Sequence, residues 1–170
     1  PFLSIQLIIK ILVDFFFLKY AKIKSKNFFE KKDLIKFFTL GDEKEISPEF
    51  IDLKNLYKLI RERKPKCVVE FGSGFSTIAI ALALRENKMK DNISGHLYSI
   101  EGNKKWFHNT QEKIDNDLKK FIDFHYSKPI TSTFNGHLVS KHEKLPDVSP
   151  NFIYLDGPSP LDVEGEIHGL

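Results

Sequence analysis

The most apolar stretch of the chain comes first. From Phe2 to Ile23, with Phe15-Phe16-Phe17 near its centre, the polar members Gln6, Lys10 and Asp14 fall at i, i+4 and i+8. That spacing predicts a helix with one narrow polar stripe, on which Lys10 and Asp14 stand one turn apart, close enough to pair. From about Gly41 the pattern changes. Ser47-Pro48-Glu49 predicts a helix start with Ser47 as N-cap and Pro48 at the first position. Phe50, Ile51, Leu53, Leu56, Leu59 and Ile60 then recur at helical spacing up to Lys64-Pro65. A short apolar run, Cys67-Val68-Val69, closed by Glu70-Phe71-Gly72, predicts a buried parallel strand. Ser76 to Met89, rich in Ala and Leu, predicts a buried helix.

Strands and helices continue in turn. His96 to Ile100 reads as a second strand, and Asn103 to Lys120 as one helix with Trp106, Phe107, Ile114 and Leu118 inside. Phe121 to Tyr126 and Asn151 to Leu155 supply a third and a fourth strand. Such alternation means βαβ units and a parallel sheet. Between the last two strands, Thr131 to Phe134 and His137 to Ser140 flank Asn135-Gly136, a two-residue hairpin signal. A small hairpin is therefore expected in place of a crossover helix. The expected fold class is α/β: a Rossmann-like, doubly wound, mostly parallel sheet of about four core strands, preceded by a helical extension. Residues 1–45 are expected to form that apolar, basic extension, and residues 46–170 the ligand-binding domain. The chain starts at Pro1 rather than Met and stops after a strand that reads as mid-sheet. It is therefore expected to be an excerpt of a longer protein, incomplete at its C-terminal end.

Charge changes the picture of the first third. Residues 1–66 carry 15 basic and 9 acidic side chains, and residues 67–170 carry 11 and 14. The overall net charge of +3 is too mild to suggest nucleic acid. Between residues 19 and 36 there are seven lysines against Glu30 and Asp33, and a basic segment beside an apolar helix is what anionic headgroups attract. Residues 2–23 are nearly the roughly 20 apolar residues that span a bilayer. Lys10 and Asp14, however, would then sit near mid-depth at about 2.5–3.5 kcal/mol each. Two readings stay open: a helix packing on its own protein or a partner copy, and a monotopic helix giving peripheral membrane contact through residues 2–36. A cleaved signal peptide fits less well, for want of a basic start and a small-residue cleavage site. The single cysteine, Cys67, excludes a disulfide scaffold and points to a reducing, cytoplasmic setting.

The chemistry gathers around Val69-Glu70-Phe71-Gly72-Ser73-Gly74-Phe75-Ser76-Thr77. Glycines at 72 and 74 allow a sharp turn off a strand and close approach to a ligand. The following helix aims its first amides at that ligand. Glu70 stands where a hydrophobe is expected, and a carboxylate at a strand's lip needs a cationic or hydrogen-bonding partner. Glu101 directly follows the second strand, where an acid accepts hydrogen bonds from ribose hydroxyls. Together they describe a pocket for a nucleoside that also carries an amino group.

This constellation resembles class I S-adenosylmethionine-dependent methyltransferases. The acid-x-G-x-G motif is matched by Glu70, Gly72 and Gly74, the ribose acid by Glu101, and a later motif by Phe152-Ile153-Tyr154-Leu155-Asp156-Gly157-Pro158. The resemblance covers about Lys66 to Pro158. It implies S-adenosylmethionine as cofactor, its methionine moiety held by Glu70 and the amides of Ser73, Gly74, Phe75 and Ser76. Glu101 would hold the ribose, and Ser127 would lie near the adenine. It also implies methyl transfer to a small-molecule oxygen or nitrogen, with Asp156 orienting or deprotonating a hydroxyl acceptor. A divalent cation would need more oxygen ligands than Asp156 alone; Asp162, Glu164, Glu166 and His168 follow without an evident partner.

An NAD-binding or other nucleotide-binding protein shares the fold, but the third glycine of its fingerprint is Thr77 here. Gly74 to Glu101 is also 27 residues, against roughly 20 in that pattern. A membrane-tethered module without catalysis is a further alternative. The six histidines form no metal signature: His137 and His142, five apart on a strand, point to opposite faces. No nucleophile elbow is present, since Gly72-Ser73-Gly74 lacks the G-x-S-x-G frame.

Overall fold

The apolar run Cys67–Phe71 forms strand β1, buried on both faces at Val68, Val69 and Glu70. Three further strands join it in parallel: β2 (His96–Glu101), β3 (Ile122–Tyr126) and β6 (Phe152–Leu155), in the order β3-β2-β1-β6. Val69 pairs with Tyr98 on one side and Ile153 on the other, and Leu97 pairs with Ile122. The sheet is that of an α/β, Rossmann-like fold. The computed structural model describes residues 2–38 and 48–157. They fall into two compact units, 1–55 and 56–170, divided inside helix α2 (Phe50–Arg63).

In the second unit, α3 (Phe75–Asp91) connects β1 to β2. Every residue from Ser76 to Leu84 is buried, as the Ala/Leu-rich run requires of a helix apolar on all sides. The end of α2 is tied to α3 by Asn87, whose Nδ2 donates to the Ile60 carbonyl at 3.1 Å, and by Arg61, which bonds Asn87 and Asp91.

The single helix expected over 103–120 is two. Helix α4 (Lys104–Lys113) stops at Ile114, whose backbone is extended, and α5 (Asn116–Lys119) restarts under the Asp115 cap. Ile114 and Leu118 are both buried, as residues four apart on one helical stripe would be. The break comes instead from Asp115, whose side chain accepts the backbone amide of Leu118 at 2.8 Å and starts a new turn.

The hairpin forms as its turn predicts. Strands β4 (Pro129–Phe134) and β5 (His137–His142) make a separate antiparallel pair, with positive φ at both Asn135 and Gly136. Helix α2 begins at Phe50, later than Ser47-Pro48 suggests. The Glu49 carbonyl takes the first amide bonds, from Asp52 and Leu53, and Ser47 lies outside the described residues.

In the first unit, α1 (Phe2–Lys31) runs eight residues past the expected Ile23. Its C-terminal part is buried at Ser25 and Phe29. The Phe29 ring meets Phe38 at 4.7 Å and Phe50 at 6.0 Å, and Lys54 donates to Ser25 Oγ at 3.2 Å. The earlier part is bare: from Leu7 to Tyr20 every residue is exposed. Among the described residues no helix is long and apolar enough to cross a membrane.

Candidate functional site

Strand order reverses at β1. The chain builds β1, β2 and β3 outward in one direction, then returns through the hairpin to lay β6 on the other side of β1. Ligands of such sheets bind beyond the carboxyl ends of the strands at that switch. Here β1 and β6 end in glycine-bearing turns. Gly72 has φ +92°, and a Cβ on it would lie 3.2 Å from the Asp156 carbonyl carbon and from the Gly157 amide nitrogen. A side chain at 72 is disfavoured twice, by conformation and by a tight contact. Gly74 differs: a Cβ there would meet no atom within 4 Å. Its bareness serves no packing within the protein and leaves room over the start of α3.

Glu70 is not at the strand's lip, as the sequence suggests, but within β1 and 0% exposed. Oε2 accepts the Thr77 hydroxyl at 2.6 Å and the Ser99 hydroxyl at 2.8 Å. Oε1 is buried without a hydrogen-bond partner. Burial is the main force on this carboxyl and pushes its pKa up to about 7. The hydroxyls of Ser76, Thr77 and Ser99 pull the other way, and the charge of Asp156 adds to the rise. Burial thus favours the protonated acid, while the hydroxyl partners favour the carboxylate.

Glu101, the last residue of β2, is 7% exposed and clamps the glycine loop. Its Oε2 accepts the Ser73 amide at 2.7 Å and the Ser73 hydroxyl at 2.9 Å, and its Oε1 accepts the Asn103 amide at 2.8 Å. Of the α3-entry amides expected to face a ligand, that of Ser73 is therefore directed to Glu101. That of Gly74 donates to Thr77 Oγ1 at 3.0 Å. Phe75 and Ser76 open α3, Ser76 buried and Phe75 partly so. Asp156 follows β6 directly, exposed, with its amide on the Phe71 carbonyl at 2.9 Å. Asp162, Glu164, Glu166, His168 and Pro158 lie outside the described residues.

Ser127 follows β3 and joins three elements. Its amide donates to the Glu101 carbonyl at 2.9 Å, its carbonyl meets His142 Nδ1 at 2.7 Å, and its Oγ accepts the Lys144 amide at 2.9 Å. Beside it lies a cleft of about 560 Å³ lined by Lys104, Tyr126, Ser127, Lys128, Glu143 and Lys144. The Lys104 ammonium stands 5.5 Å from the centre of the Tyr126 ring. The structure thus gathers Glu70, Thr77, Ser99 and the Gly74 amide into one hydrogen-bonded group and Glu101, Ser73 and the Asn103 amide into another, joined by the glycine loop itself. It links Ser127 to the second through the backbone of Glu101 and sets Asp156 against Gly72.

Sequence reasoning missed Thr77, Ser99 and the cleft lysines. Thr77 had a signal: a hydroxyl three residues into a helix reaches back to the N-cap amide. Ser99 and the lysines had none, because each meets the site only through tertiary contact. Among the described residues no group of three or more His, Cys, Asp or Glu could hold a metal ion.

No protein-family model matches the sequence, and no curated protein matches it. Among solved structures, the chain is similar to the SAH-bound methyltransferase PaMTH1 of Podospora anserina at 19% identity, with a TM-score of 0.37. The likeness covers 62% of this chain and 41% of that one, so the chain spans about two fifths of that protein's length.

Proposed function

We propose that the second unit is the cofactor-binding part of an S-adenosylmethionine-dependent methyltransferase acting on a small-molecule oxygen or nitrogen. The observation that carries this reading is Glu70. A carboxyl buried beneath a glycine turn, with one oxygen lacking a donor and a pKa near neutral, suits a ligand that brings its own ammonium group. A second carboxylate, Glu101, stands beside the same loop. Its oxygens already accept three donors, and a carboxylate has about four lone-pair positions, so a ribose hydroxyl would share or displace the Ser73 contacts. The open space over Gly74 gives the ligand's body somewhere to lie, and the cleft beside Ser127 would receive the adenine.

When bound, the cofactor supplies an electrophilic methyl on sulfur, which an acceptor oxygen or nitrogen takes in line. The chain's part is to hold and orient. Glu70 Oε1 would accept the ammonium, Glu101 the ribose, and Asp156 would orient an acceptor hydroxyl or take its proton. Such positioning can supply about 7–11 kcal/mol of the barrier.

Calorimetry with S-adenosylhomocysteine and, separately, with NAD tests the reading. Binding of the sulfur nucleoside and a weaker response to NAD are expected, with Glu101→Ala reducing the former. Binding of NAD alone overturns the assignment. A phosphate-bearing nucleotide is the second reading, favoured by one observation: Lys104, Lys128 and Lys144 converge on the cleft, and ammonium groups there suit phosphate better than a neutral adenine.

A further inference from the structure

The exposed part of α1 is the largest feature that the proposed chemistry leaves unused. Every apolar side chain from Leu7 to Leu18 stands between 45% and 70% exposed, on all sides of the helix except the stripe of Lys10 and Asp14. Scattered single hydrophobes on a surface are ordinary, but a contiguous sleeve of them marks an interaction site. The same helix is closed at its other end, where Ser25 and Phe29 are buried. The bare part is therefore a distinct segment and not a helix that packs poorly throughout.

The order of residues along the helix axis identifies the partner. First come the apolar positions up to Leu18, with Phe15, Phe16 and Phe17 the most exposed at 60–70%. Then comes Tyr20, 63% exposed, with the Lys24 ammonium 5.9 Å from its ring centre. Lys19, Lys22, Lys24 and Lys26 lie around and beyond it, opening a stretch with seven lysines and two acids through residue 36. Acyl chain, interface and anionic headgroup follow one another in that order in a leaflet. Tyrosine prefers the interface, lysine stems snorkel toward the headgroups, and each lysine near an anionic surface adds attraction. The charged pair sets the depth. With Tyr20 at the interface, an upright helix would put Lys10 about 15 Å below it at about 1.5 Å per residue, where each charge costs about 2.5–3.5 kcal/mol. The helix therefore enters obliquely, with its Lys10–Asp14 stripe turned toward the headgroups.

We propose that α1 is a monotopic anchor whose Leu7–Tyr20 segment enters one leaflet of an anionic bilayer, with Lys19 to Lys26 at its headgroups. A second copy of the chain, sleeve against sleeve, is the competing occupant, and it would set like-charged lysine segments side by side in a parallel pair.

Co-sedimentation of the full chain with vesicles decides the matter, using phosphatidylcholine alone and phosphatidylcholine mixed with phosphatidylserine. Recovery with the mixed vesicles is expected, weaker with phosphatidylcholine and reduced by high salt. Lys19→Gln, Lys22→Gln and Lys24→Gln together should lower partitioning about 100-fold. Phe15→Ser, Phe16→Ser and Phe17→Ser together should abolish it while leaving the urea midpoint of the chain unchanged, which separates lost binding from lost folding. A chain that stays in the supernatant with both vesicles overturns the proposal. So does binding that survives the three serines, or a dimer in analytical ultracentrifugation that the serines dissolve while vesicles recover nothing.

Discussion

Helices α1 and α3 are apolar on nearly every side, yet their surroundings are opposite. In α3, Ser76 to Leu84 is enclosed. In α1, Leu7 to Tyr20 is open to solvent and only the end near Phe29 is covered. Their side chains differ in size more than in polarity: α3 presents Ala79, Ala81 and Ala83 between its larger residues, while α1 presents Phe15, Phe16 and Phe17. Small residues let a helix lie close against a sheet, and a run of three phenylalanines does not fit such a gap. The pair teaches that an all-round apolar helix demands cover without saying what provides it.

The largest expected effect tests that contrast directly. Leu82→Ala in α3 removes a side chain 1% exposed and should destabilise the chain by about 2–5 kcal/mol in urea unfolding. Phe16→Ala, at a site 65% exposed, should change it by less than about 0.5 kcal/mol. Comparable losses at the two sites would mean that α1 is covered after all.

Next comes the acid under α3. Burial raises the folded pKa of Glu70 to about 7 from its ordinary value of 4.5, so the folded state holds the proton more tightly than the unfolded chain. Its contribution to stability is full below about pH 4.5 and is lost as pH rises to about 7. That loss amounts to about 3 kcal/mol at about 1.4 kcal/mol per pH unit. In Glu70→Gln the decline across this window should vanish; if the variant keeps the parent slope, another group carries it. Addition of S-adenosylhomocysteine near pH 7 should also release protons, read as a buffer-dependent calorimetric heat, because an ammonium at Oε1 favours the carboxylate.

The smallest contrast lies within the glycine turn. Gly72→Ala should cost about 1–3 kcal/mol through its positive φ and its contact with Asp156 and Gly157. Gly74→Ala meets no protein atom and should leave the unfolding midpoint near that of the parent. A loss of ligand affinity in Gly74→Ala without loss of stability would place the ligand over this residue.

Local signals carried most of the strand and helix succession. Period and turn chemistry act within a few residues, and so Cys67–Phe71, the buried Ala-rich helix and the Asn135-Gly136 hairpin were all legible. The break at Ile114 was not, because the cap at Asp115 competes with a helical pattern that continues on both sides of it. Of the site, Glu70, Gly72 and Glu101 announced themselves as residues out of pattern. Their partners did not, since Ser99 reaches Glu70 across 29 positions and Ser73 reaches Glu101 across 28.

By itself, then, the sequence determined which segments are strands, which helices are apolar on nearly every side, and that two acids flank a glycine turn. Those properties follow from each residue's own backbone preference and from neighbours a turn or a pleat away. Only the tertiary structure decided that Glu70 is sealed with one oxygen unsatisfied while Glu101 is spent on the loop, and that α3 is covered while the start of α1 is not. Burial and hydrogen-bond partners belong to the assembled neighbours of a residue, and these come from strands and helices far along the chain.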